Sequence, residues 1–195
     1  MDDEVGGAIR NYSVFRRTFA GRTAEEETDC FRGQARQMFA ELNNEFASAD
    51  GSVPLSEKEA EARRRLVASL FEDLFRLKQR AKQGCVHGSG LQRDRDSEWC
   101  FPLEGNDNQL GELRHPVTID GEGETDIFGW QFRMYFAAPQ VEPTLLLWLV
   151  FARKPSSKVS DRWRDIQREH IARARAEFSN WHSGRSGNPT YTLSK

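Results

Sequence analysis

Trp130-Gln131-Phe132-Arg133-Met134-Tyr135-Phe136 carries an apolar side chain at every second position. A period of two becomes a single face only in a β-strand. Trp130, Phe132, Met134 and Phe136 are therefore predicted to face a core, with Gln131, Arg133 and Tyr135 pointing together to the opposite side. On one side of this run, residues 110–119 read as another strand. On the other, residues 144–151 are nearly all apolar, as expected of a strand covered on both faces. Short links make the three an antiparallel meander.

Further out, the period changes. Phe31, Ala35, Met38, Phe39, Leu42 and Phe46 recur at steps of three and four, which predicts an amphipathic helix ending near Gly51. Ser52-Val53-Pro54 predicts a turn, and Ser56 with Glu59 makes a capping-box pattern. Leu66, Leu70, Leu74, Leu77 and Ala81 mark a second, longer helix, so the pair is expected to form a helical hairpin. Residues 9–20, with Tyr12, Val14, Phe15 and Phe19, read as a first strand joining the same sheet. Residues 21–28 read as a polar, acidic connection in which Thr28 caps the helix. Residues 84–108 read as loop, and residues 120–124 as a flexible acidic connection. After a turn at 152–158 and a candidate N-cap at Ser160, Trp163, Ile166, His170, Ala174, Phe178 and Trp181 trace a closing helix.

The expected order is β-α-α-β-β-β-α: an α+β domain over residues 1–182 with a mobile tail at 183–195. The helical hairpin and the C-terminal helix are expected to pack on one face of an antiparallel sheet, leaving the other face partly open.

Composition narrows the class. The 195 residues are 37% hydrophobic, enough for one core, with 28 Lys+Arg against 30 Asp+Glu. The longest strongly apolar run, Leu145 to Val150, falls far short of the ~20 residues of a membrane helix. The acidic start Met1-Asp2-Asp3-Glu4 is unlike a signal peptide. Three widely separated cysteines, Cys30, Cys85 and Cys100, suit reduced thiols, so a cytoplasmic protein is expected. Cys85-x-His87 with Cys100 lacks the second close pair of a structural zinc site, and neither metal nor cofactor is expected.

The net charge of −2 hides an asymmetry. Residues 131–185 hold ten basic and five acidic side chains, a net of +5, whereas the residues before them net −8. A solvated charged helix gives the same composition; an anionic partner, nucleic acid above all, gives it a use. No nucleophile elbow, phosphate loop or zinc-protease motif is present. His170, on the apolar stripe of the last helix, reads as a packed core histidine. What remains is cations on strands: Arg114, Arg133, and Arg153-Lys154. Adjacent strands lie about 5 Å apart, so these are expected to converge on one face, where their repulsion calls for an anion. Arg133, taken as an exposed strand residue, is expected to be critical for function and nearly dispensable for folding.

Gly111-Glu112-Leu113-Arg114, Phe132-Arg133-Met134-Tyr135-Phe136 and Leu147-Trp148-Leu149-Val150-Phe151-Ala152-Arg153-Lys154, followed by Glu169, Ala172 and Arg175, resemble the RelE/HigB toxin superfamily over roughly the last 75 residues. The resemblance implies the toxin of a type II toxin–antitoxin pair. Such a toxin is an endoribonuclease that inhibits translation by cleaving mRNA, usually on the ribosome and without metal. The RNA 2′-hydroxyl attacks the adjacent phosphate, leaving a 2′,3′-cyclic phosphate and a 5′-hydroxyl. It further implies an antitoxin partner, expected to lie across Arg114, Arg133 and Arg153. Arg133 matches the family's strand arginine, and Arg153 or Lys154 its basic residue after the last strand. Arg114 falls in the basic segment before it. Where many members carry tyrosine, three residues after the strand arginine, this chain has Phe136. His115 is then the expected proton carrier, and Tyr135, Lys158 and Arg162 the expected RNA contacts. Two other readings share these features: a noncatalytic ParE-like inhibitor of DNA gyrase, and a plain nucleic-acid-binding module.

Overall fold

The alternating run does form a strand at the middle of a five-stranded sheet. In the computed structural model, residues 22, 24–47, 56–88, 90, 97–103, 109–116, 129–156 and 160–186 are described. Their elements are β1 (Ala24–Glu27), α1 (Asp29–Ala47), α2 (Glu57–Lys82), β2 (Trp99–Cys100), β3 (Leu110–His115), β4 (Trp130–Ala137), β5 (Leu145–Pro155) and α3 (Trp163–Ser186). The sheet order is β1-β5-β4-β3-β2. β2 to β5 run antiparallel to their neighbours, whereas β1 lies parallel to β5. The chain is thus α+β with a mixed sheet, where a wholly antiparallel one was expected.

The predicted strand at 9–20 lies outside the described residues, as do the turn at 52–54, the acidic connection at 120–124 and the end of the tail. The first described strand falls instead on Ala24-Glu25-Glu26-Glu27, expected as a polar connection. Side chains from both layers make that possible. Glu25 accepts from the Trp148 indole at 3.3 Å, Glu27 pairs with Lys78, and Glu26 accepts from the Trp181 indole at 3.2 Å. Alternation sends Glu25 and Glu27 to one face and Glu26 to the other. β2 lies inside a segment expected to be loop, and α3 runs to Ser186, beyond the expected start of the tail.

The capping signals of α1 and α2 hold, whereas Ser160 stands three residues before α3 and bonds the Arg162 amide. Thr28 Oγ accepts from the Phe31 amide at 3.1 Å and donates to the Leu149 carbonyl at 2.8 Å, joining the start of α1 to β5. Ser56 and Glu59 form the reciprocal capping box of α2. The register of β4 on β5 shifts between Tyr135 and Phe136, which pair with Val150 and Trp148. Leu149 is the extra residue of this bulge, and Thr28 binds its carbonyl.

Both sheet faces are covered, which corrects the expected open face. On one side α1 and α2 pack on Phe132, Met134, Phe136, Trp148 and Phe151. Phe31 lies 6.0 Å from Trp148 and 5.9 Å from Phe151 between ring centroids, and Phe39 meets Phe71 edge-on at 4.9 Å. On the other side α3 packs through Ile171, Ala174, Phe178 and Trp181 on Leu145, Leu147, Val150, Ala152 and Tyr135. That accounts for the unbroken apolar character of β5, whose residues 145–152 are all buried. A fully buried large side chain contributes about 1.5–3 kcal/mol. The α1/α2 side buries Val67, Leu74 and Leu77 from α2, whereas Ala174 alone of the described α3 residues is buried. The polar face of β4 consequently lies beneath the more lightly docked helix.

Candidate functional site

Strand alternation sorts the cations. Glu112 of β3 pairs with Tyr135 of β4, Arg114 with Arg133, and Gln131 with Lys154 of β5. All six side chains point to the α3 face, and their residues are buried. Arg114 and Arg133 stand directly across from each other, a costly arrangement for like charges. An anion was expected to relieve that cost. The chain supplies one itself in Glu112, which the sequence alone did not single out. Its Oε1 lies 2.9 Å from Arg114 Nε and 3.8 Å from Arg133 Nε. The Arg133 fork is held further, donating to the Gln131 side chain at 3.0 Å and to the Phe132 carbonyl at 2.9 Å.

α3 closes the centre from above. Gln167 donates to Glu112 Oε2 at 3.3 Å, and the His170 ring meets Tyr135 edge-on at 6.2 Å. Lys154 places its ammonium 4.2 Å from the centre of the Trp163 ring, against which Arg164 also lies at 5.0 Å. The cations sit near one end of the sheet: late in β3, early in β4 and late in β5. There Arg114 keeps 10% of its side chain exposed and Arg133 8%.

Charge and burial set the protonation states. Burial pushes the Glu112 carboxyl up, but Arg133, Arg114 and Lys154 outweigh it and hold the group below the usual carboxylate range. Burial first, and the Glu112 charge second, push the Tyr135 hydroxyl well above 10. That hydroxyl lies near Glu112 but outside ordinary hydrogen-bond geometry. His170 is pulled down to about 4 by burial, then by the positive charges of Arg173 and Arg133, so its ring is neutral at pH 7. Its Nδ1 is buried and makes no hydrogen bond with the described residues. Glu112, Gln167 and His170 thus belong to the centre, although sequence reasoning did not include them, and Gln131 joins it from the face on which alternation set it. The alternation of β3 would have placed Glu112 beside Arg114; the two α3 residues needed the helix assigned to this face.

Two expected members stand elsewhere. Arg153 pairs with Phe132 and so points to the α1/α2 face. There it bonds Glu45 at 2.5 Å and Glu41 at 3.3 Å and stacks on Trp130 at 4.4 Å. His115 likewise pairs with Phe132 and faces away from Arg133. Burial pulls its pKa down, partly opposed by the charges of Asp73 and Glu98. An antitoxin segment laid across Arg114, Arg133 and Arg153 is therefore excluded by geometry, since Arg153 is on the other face and α3 covers the first two. Arg162 is exposed at the turn before α3, and Lys158 lies outside the described residues.

Among the described residues no three His, Cys, Asp or Glu side chains gather as a metal site would require. Cys85 is exposed and Cys100 buried. No described helix is long and apolar enough to cross a membrane. Fold and site together define an α+β domain that buries an arginine–carboxylate centre between its sheet and its last helix. No family model, curated protein or solved structure matches this chain.

Proposed function

We propose that this chain is a RelE/HigB-like toxin that cleaves mRNA on the ribosome by 2′-hydroxyl attack, and that a cognate antitoxin restrains it. One observation carries the proposal: Arg114, Arg133 and Lys154, on three consecutive meander strands, share one face and one end of the sheet. A phosphodiester entering at that end meets fixed guanidinium forks, which match the geometry of phosphate oxygens. Negative charge grows on those oxygens as the 2′-oxygen bonds to phosphorus and the bond to the 5′-oxygen breaks. Preorganised cations stabilise that state more than the ground state. His170 replaces His115 as the neutral imidazole of the centre, takes the 2′-hydroxyl proton and passes it to the departing 5′-oxygen, while Tyr135 keeps its own. Arg162 and Arg164, exposed at the start of α3, contact the RNA on either side of the cut.

Adding the purified chain to a translation extract tests this. Message cut to 2′,3′-cyclic phosphate and 5′-hydroxyl ends, undiminished by a chelator, supports it. The near-complete burial of the centre favours a second reading, a ParE-like protein that binds gyrase and performs no chemistry. Intact message together with blocked DNA supercoiling would select that one, and absence of both effects would exclude both.

A further inference from the structure

We infer that the outer seam between α1 and α2, floored by Phe71 and rimmed by Phe39 and Phe75, is a docking surface for an acidic amphipathic helix of a protein partner. The seam belongs to the layer opposite the Glu112 centre and uses none of its residues, so the inference stands apart from the RNA reading. Its first support is aromatic. Phe75 is 61% exposed and Phe39 42%. A single exposed apolar side chain is ordinary; a contiguous group is not. Phe39 meets Phe71 edge-on at 4.9 Å, and Phe75 follows Phe71 by one helical turn. The Phe71 ring stands 5.9 Å from Phe151 of β5, which roots the floor of the seam in the core. Phe75 lies outside the stripe that α2 buries with Val67, Leu70, Leu74 and Leu77. Leu66, also exposed, is half a turn round the helix from Phe75 and plays no part.

Charge identifies the occupant. The carboxylates nearest the rings are each paired within their own helix, Asp29 with Arg32 and Glu72 with Arg76, both at 2.6 Å. Two turns before Phe71, one carboxylate serves two arginines: Glu61 meets Arg64 at 3.3 Å and Arg65 at 3.1 Å. Arg36, exposed three residues before Phe39, makes no ion pair with a described residue. What is left over along the seam is therefore positive. A nucleic-acid strand would set phosphates against an apolar floor with few surplus cations. An amphipathic helix uses both features, seating apolar side chains on the phenylalanines and flanking carboxylates on Arg36 and the Arg64–Arg65 pair.

Fluorescence anisotropy tests this on the full chain with two labelled, end-blocked peptides of about five helical turns. Both carry leucine at i, i+3, i+4 and i+7; one has glutamate on its other face, the second lysine. The glutamate peptide is expected to bind at least tenfold tighter. Phe75→Gln keeps a good helix former at an exposed position, so the melting curve should not move, while the glutamate peptide should bind at least tenfold more weakly. Should that variant fail to fold, Arg36→Glu gives an independent reading: it should weaken the glutamate peptide several-fold and strengthen the lysine peptide. Binding of neither peptide, equal binding of both, or affinities unchanged in a folded Phe75→Gln or Arg36→Glu would overturn the inference. Sedimentation of the free chain covers the other occupant, since a dimer that Phe75→Gln dissociates would assign the seam to a second copy and overturn it too. The titration involves no RNA, so cleavage of message and docking at the seam succeed or fail separately.

Discussion

Arg133→Ala is expected to destabilise the chain strongly, contrary to what an exposed strand cation would do. The residue is buried, lies 3.8 Å from Glu112, and donates to Gln131 and Phe132. Removing one partner of a buried charge network costs about 3–5 kcal/mol, because the remaining charge stays buried. Urea unfolding should show the lost midpoint, and a variant that melts with the wild type would refute the burial. Tyr135→Phe is the contrasting case. It removes a buried hydroxyl outside ordinary hydrogen-bond geometry, so stability should change by less than about 1 kcal/mol or rise. Histidine gives the pH dependence. The folded-state value of His170 is about 4, below the ordinary 6.5, so between those values the unfolded chain holds the proton and the folded chain does not. Stability is therefore complete above pH 6.5 and falls as pH drops toward 4. Each tenfold difference in proton affinity between the folded and unfolded chain is worth about 1.4 kcal/mol, and the partial exposure of His170 brings the total to roughly 1–2 kcal/mol. Glu112 acts in the same direction at lower pH, since its depressed value lends stability above the ordinary carboxylate range that is lost on acidification. Urea midpoints at pH 7, 5.5 and 4.5 should fall less steeply for His170→Leu than for wild type; parallel curves would mean that His170 titrates normally.

At the scale of elements, the glycine of the Gly111-Glu112-Leu113-Arg114 stretch has a packing reason. A Cβ at Gly111 would run into the Phe136 ring and stand 2.9 Å from the Cys100 carbonyl oxygen. Phe136 cannot give way, for it is stacked on Phe101 at 6.1 Å and meets Trp148 edge-on at 5.9 Å. Gly111→Ala should thus cost about 1–3 kcal/mol by overpacking, read from a thermal melt. A wild-type melt would show that β2 and β3 part more easily than the register implies. The same elements show how far the sequence could be read. β3, β4, β5 and the helices carry their periods in their own residues, so they were legible. β1 does not: Ala24-Glu25-Glu26-Glu27 has no strand signal, and its form depends on Trp148, Lys78 and Trp181 in other elements. The site was half legible for a related reason. Alternation along β4 placed Arg133 and Tyr135 together, but the register between strands was needed to see that Arg153 stands opposite Phe132 and so belongs to the other face.

Across the whole molecule, the two covering layers differ in what holds them. α1 and α2 bury a broad apolar face and add ion pairs such as Lys78–Glu27 and Arg153–Glu45. Of its described residues α3 buries Ala174 alone; it docks half-buried aromatics and is tied further by polar contacts at its edges. Arg185 bonds Glu26 at 2.6 Å and also pairs with Glu142, Trp181 donates to Glu26, Gln167 donates to Glu112, and Trp163 stacks on Lys154. The Arg185 pairs are exposed, and salt screens exposed pairs. Local opening follows the weakest-packed element, so α3 is expected to open without the sheet. Hydrogen exchange should show α3 amides exchanging well ahead of those in β4 and β5. Raising salt to about 1 M, where the screening length shrinks to ~3 Å, should speed α3 and leave the central strands unchanged. Arg185→Ala should reproduce the salt effect at low salt. If α3 exchanges together with β5 and ignores both salt and Arg185→Ala, its half-buried aromatics hold it as firmly as the opposite layer is held. The centre around Glu112 would then be a rigid part of the core.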